Sequence, residues 1–106
     1  MDIKQAETRL TYDTLKDDGT YTKLRLGITP DPQAIRALSH ALQLICEYYA
    51  EKQDIPRKVA FPCAVILNFS KECIRNLETA GSEQATIYDT MNLAHDAFRV
   101  LADGPV

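Results

Sequence analysis

A chain of 106 residues with a formal net charge of −3 is sized for one domain and lacks the basic excess of a general nucleic-acid binder. Its apolar fraction of 45% and charged fraction of 25% belong to a chain that folds, not to a disordered one. The longest apolar run, Cys63 to Leu67, falls far short of the ~18 residues that cross a membrane. No apolar segment follows Asp2, Lys4 and Glu7 to make a secretory signal, so the expected compartment is the cytoplasm.

Residues 8–28 read as a β-hairpin. Thr8 to Leu15 is rich in Thr and Tyr, which favour strands. Lys16-Asp17-Asp18-Gly19 supplies a turn, with Gly19 free to take a positive φ. Thr20 to Ile28 alternates, with Thr22, Leu24, Leu26 and Ile28 on one face and Tyr21, Lys23 and Arg25 on the other. Residues 2–7 fit either a turn of helix or a strand extension.

The strongest signal lies in Gln33 to Gln53. At about 100° per residue, Ile35, Leu38, Leu42, Ile45 and Tyr49 form one apolar stripe, and Ala34, Ala37, Ala41, Leu44 and Tyr48 form a second beside it. So wide an apolar arc marks a central helix, over residues 32–52. Asp31 suits its N-cap and Pro32 its first turn. A third helix is expected over 57–79, with Cys63, Ile66, Leu67, Phe69, Cys73, Ile74 and Leu77 on its core face and Pro62 starting or kinking its main body. A strand across Val59 to Phe69 is the alternative, disfavoured by Pro62 and by the 3.6-residue period continuing to Leu77. Gly81 can end it in the left-handed conformation and Ser82 can cap the next helix, over 83–102. There Ile87, Met91, Ala94, Phe98 and Leu101 form the expected core face, and Asp103-Gly104-Pro105 ends the element. The predicted fold is therefore α+β, a single domain over residues 1–106 with an N-terminal hairpin packed on three antiparallel helices.

Chemistry-bearing motifs are sparse. Gly19, Gly27, Gly81 and Gly104 never cluster into a phosphate loop, and there is no nucleophile elbow. Cys46, Cys63 and Cys73 fall on apolar faces without C-x-x-C spacing, which points to reduced buried thiols and no zinc site. His40 shares a polar face with Arg36, Gln43 and Glu47, and reads as a solvated surface residue. Asp89, Asn92 and Asp96 read as the solvated face of the last helix. No cofactor or metal is expected.

The clearest functional hint is surplus apolar surface. Leu93, Ala97 and Val100 form a second stripe on the last helix, and Tyr48 and Tyr49 stand side by side on the central one. Such stripes point to a non-enzymatic protein-interaction or regulatory module acting through a helix face or hairpin edge, with a second copy as the expected partner. Two alternatives stand beside it. Arg57, Lys58, Lys71 and Arg75 make the third quarter locally basic and could meet nucleic-acid phosphates. His95, with Tyr88 and a cysteine, could line a small catalytic or ligand pocket.

Overall fold

The computed structural model describes residues 1–52 and 54–102. Among them there are six helices and no strand: α1 (Ile3–Leu15), α2 (Thr20–Arg25), α3 (Pro32–Tyr49), α4 (Arg57–Asn68), α5 (Ser70–Thr79) and α6 (Gln84–Ala102). The ending Asp103-Gly104-Pro105 lies outside the described residues.

The expected hairpin is two helices, so the α+β assignment is overturned. In α1 the buried residues are Ala6, Leu10, Asp13 and Thr14, a spacing that only a 3.6-residue period brings to one side. Asp2 and Gln5 form a reciprocal capping box: the Gln5 amide donates to Asp2 Oδ1 at 2.8 Å and the Asp2 amide to Gln5 Oε1 at 2.9 Å. The strand-favouring Thr14 is absorbed because its hydroxyl donates to the Leu10 carbonyl one turn back at 2.6 Å. In α2, Tyr21 and Leu24 are buried together as i and i+3, where a strand would set them on opposite faces.

Gly19 joins α1 to α2 for a steric reason. Its φ is −69°, not positive, but an added Cβ would lie 2.4 Å from the Tyr12 carbonyl oxygen and 2.6 Å from that of Asp13. This close approach brings the amide of Thr20 to within 3.5 Å of Asp13 Oδ1 at the start of α2. Asp13 is buried, its Oδ2 has no hydrogen-bond partner, and Arg9 Nη1 stands 3.6 Å from it. Burial raises the Asp13 carboxyl above its ordinary range despite the opposing pull of Thr20 and Arg9. A carboxyl raised in the folded state adds stability below its unfolded value and loses it as pH rises through the folded one. Asp13→Asn should therefore be more stable than the parent at pH 7 and no more stable at pH 3. Urea midpoints at the two pH values check this; a less stable variant at pH 7 would show that the Arg9 ion pair outweighs burial.

α3 starts as its sequence suggests, with Asp31 Oδ1 accepting from the Gln33 amide at 2.9 Å and Pro32 in the first turn. Its first stripe, Ile35, Leu38, Leu42, Ile45 and Tyr49, is buried throughout. Helices α1, α3, α6 and α4 close a ring, each packed on the next, while α2 and α5 pack on each other beside it. The core fills the ring with Leu10, Leu38, Leu42, Ile45, Val59, Cys63, Ile66, Leu93 and Val100.

The single helix expected over 57–79 is broken at Phe69, whose φ of −108° and ψ of 9° leave the helical region. The break swings α5 onto α2. Tyr21 then donates its hydroxyl to the Ile66 carbonyl in the last turn of α4 at 2.5 Å. Asn76 Nδ2 donates to the Leu24 and Arg25 carbonyls at the end of α2, at 3.0 and 3.1 Å. The Arg25 guanidinium lies 3.7 Å from the centre of the Phe69 ring. Each partner thus donates a side-chain hydrogen bond to carbonyls at a helix end of the other. Pro62 sits inside α4 and is buried there. Gly81, at φ 71°, makes the left-handed joint before α6.

Candidate functional site

Besides the Asp13 and Asn76 contacts, two meetings of polar side chains among the described residues hold long helices together. Across the α3–α6 contact, Arg36 Nη1 lies 3.3 Å from Asp89 Oδ2, and Ser39 Oγ donates to Asp96 Oδ2 at 2.7 Å. Gln43 Nε2 donates to Ser39 Oγ at 3.4 Å, and His40 and Asn92 complete a shallow concavity of about 350 Å³. Asp96 is buried and Asp89 is paired, so these residues form an inter-helix seam where the sequence suggests a solvated face. Removing the Ser39 hydroxyl takes away a partner of a buried carboxylate, which costs about 1–3 kcal/mol. Ser39→Ala should lose that much in a denaturant titration, and Asp89→Asn, at the half-exposed end of the same seam, much less.

The second meeting point joins α1, α3 and α4. Tyr49 donates its hydroxyl to Glu7 Oε2 at 2.5 Å, and Lys58 Nζ lies 3.3 Å from Glu7 Oε1. Burial, then the Glu7 carboxylate, push the Tyr49 phenol up to about 12. Tyr48 and Tyr49 touch edge to face at 4.9 Å, but only Tyr48 is exposed, and Lys52 stands over its ring. The two tyrosines are therefore not one shared surface.

The basic residues of the nucleic-acid alternative are not gathered. Arg57 and Lys58 open α4 beside Leu15 and Phe61, and Lys58 is spent on Glu7. Lys71 and Arg75 line a different concavity on α5, with Ile74 and Met91. The catalytic alternative is not assembled either. All three cysteines are buried, and burial pushes the Cys63 thiol up to about 12 and raises that of Cys73, the reverse of nucleophile activation. Tyr88 and His95 face outward. Among the described residues no group of three or more His, Cys, Asp or Glu is placed to hold a metal ion. A concavity of about 630 Å³ is lined by residues of the N-terminal segment alone, from Met1 to the buried Asp13, and is open to solvent.

The remaining feature is the outer face of α6. The stripe expected to be spare, Leu93, Ala97 and Val100, is fully inside the ring, at no more than 1% exposure. Those three residues build the core and offer no docking surface. Of the stripe expected to be core, Ile87 is buried and Ala94 and Leu101 are half-buried, but Met91 and Phe98 are turned outward at 52% and 57% exposure, beside Tyr88 at 63%. The helix is rotated by roughly one residue's 100° from its apparent apolar side. The reason is visible in the true inner face, which carries Thr86, Thr90 and Asp96. Thr90 satisfies its hydroxyl on the Thr86 carbonyl at 2.9 Å and Asp96 meets Ser39, so these polar groups can be buried. They dilute the inner stripe and make the outer one look stronger. The small Thr86, Thr90 and Ala97, which share one buried face, were the signal that could have placed it.

No helix among the described residues is long and apolar enough to cross a membrane. Comparison with protein-family models, with curated proteins and with solved structures finds no match to this chain.

Proposed function

We propose that this chain is a small non-enzymatic docking module of the cytoplasm that binds a protein partner through the outer face of α6. One observation carries the reading: three large apolar side chains, Tyr88, Met91 and Phe98, stand more than half exposed in one row on a single helix. Scattered exposed apolar residues are ordinary, but a row along one helix face marks association. The non-enzymatic part is supported by the polar side chains, which pair across helix contacts, the concavity over the α3–α6 seam being shallow. The three buried thiols suit a reducing compartment.

The test is site-specific photocrosslinking in the host cell, with the photoreactive residue at position 98 or, as a control, at the exposed position 47 on α3. A discrete covalent adduct from position 98 and none from 47 is expected. No adduct from 98, or equal adducts from both, would overturn the reading.

A further inference from the structure

The outer face of α6 has a regular spacing. Gln84, Tyr88, Met91, His95, Phe98 and Ala102 are all exposed, and they follow one another at intervals of 4, 3, 4, 3 and 4. That alternation is the two-per-heptad seam by which one helix receives another, knobs into holes. The row carries no acidic side chain. α3 flanks it through Asp89 and Asp96, and α5 flanks it through Ile74 and Arg75. By contrast, the outward residues of α3 are Arg36, His40, Gln43 and Glu47.

We infer that the occupant of this seam is the α6 of a second copy, running antiparallel, a conclusion that rests on the docking reading above. The seam is self-complementary about the midpoint of the helix. A two-fold axis there sets Tyr88 against the copy's Phe98, Met91 against its His95 and Gln84 against its Ala102. Both ends then gain an aromatic pair, and sulfur meets a ring beside the axis. Antiparallel pairing also opposes the two helix dipoles.

The size of the contact sets its strength. A 19-residue helix is about 28 Å long and about 10 Å wide, so the seam buries well under the ~800 Å² a side of a standard complex. In an antiparallel pair like flank meets like flank, so Lys71 and Arg75 of the two copies approach across the seam's edge. Both facts point to a weak, reversible dimer.

The experiment is sedimentation velocity of the purified full chain from about 1 to 500 μM, with Tyr88→Lys, Phe98→Glu and an equimolar mixture of the two. The parent should pass from 11.9 kDa toward twice that mass. Each variant alone loses the aromatic pair at both ends, and should dimerise at least about 30-fold more weakly. In the mixture one end keeps Tyr88 against Phe98 and the other gains a Lys–Glu pair, so association should return to within about tenfold of the parent. A parent that stays monomeric at 500 μM overturns the second copy as occupant, while an adduct of another mass from position 98 would leave the docking reading standing. A dimer that Tyr88→Lys and Phe98→Glu both leave intact overturns this seam. Variants that weaken singly but do not restore each other overturn the antiparallel register. Circular dichroism of both variants, expected to match the parent, separates loss of association from loss of fold.

Discussion

Leu93→Glu should leave no folded chain, whereas Phe98→Glu, five residues along the same helix, should melt almost where the parent does. Leu93 is completely buried, in the α6 wall of the core. Truncating such a leucine to alanine already costs about 2–5 kcal/mol. A carboxylate there would have to be desolvated without a partner, which adds more. A domain of this size holds about 5–15 kcal/mol in all, so the sum reaches the whole of its stability. Phe98 is 57% exposed and loses little when replaced by a residue that favours helix; a change within about 0.5 kcal/mol is expected. Thermal melts followed at 222 nm give the comparison directly. A cooperative melt for Leu93→Glu, or a collapse of Phe98→Glu, would mean that α6 is rotated from the orientation described.

Gly19→Ala should be nearly as damaging as a core truncation, although it adds one methyl group at a turn. The backbone angles of Gly19, φ −69° and ψ 153°, are open to any residue, so no torsional cost arises. The obstacle is contact. The new carbon would sit 2.4 Å from one backbone oxygen, 2.6 Å from a second and 2.8 Å from the Asp13 carbonyl carbon. Backbone atoms cannot swing aside like a side chain, so α2 must lift from the end of α1. Overpacking of this kind costs about 1–3 kcal/mol, and the upper part of that range applies here. At about 4–8 °C per kcal/mol the melting temperature should fall by about 10–20 °C. Gly81→Ala is the informative partner: its added carbon meets nothing within 4 Å and pays only for φ 71°, about 1 kcal/mol. Equal losses at the two glycines would show that contact at Gly19 is relieved cheaply.

How much of this was legible depends on which physical signal dominated each segment. The central helix could be read because its apolar period, its Asp31 cap and its Pro32 agree. The N-terminal helices could not be read from residue preference, because Thr and Tyr favour strands and the residues between 8 and 15 are rich in them. The decisive signals there were local and easily passed over: Asp2 and Gln5 in capping-box spacing, then Ala6 and Leu10 one turn apart. The break at Phe69 left no mark in the sequence pattern. It follows from the docking of α2, a contact between segments more than 40 residues apart. The α6 face was misjudged for a related reason. Hydrophobicity alone ranks Met91 and Phe98 above Thr86, Thr90 and Asp96, and only a partner such as Ser39 reveals that the second set is inside. Two members of the docking row, Met91 and Phe98, were thus assigned to the wrong side of the helix.

The mutual capping of α2 and the α4–α5 break also bears on the order of events in folding. α2 has six residues, too few to persist as an isolated helix. The Ile66 carbonyl that Tyr21 meets on α4, and the Leu24 carbonyl that Asn76 meets in return, join parts of the chain separated by 45 and 52 residues. Neither side gains until the ring of long helices has brought both together. The elbow should therefore behave as a latch, closing after the barrier has been crossed and opening as one unit, so that the amides of α2 and of the residues around Phe69 exchange with solvent at a common rate.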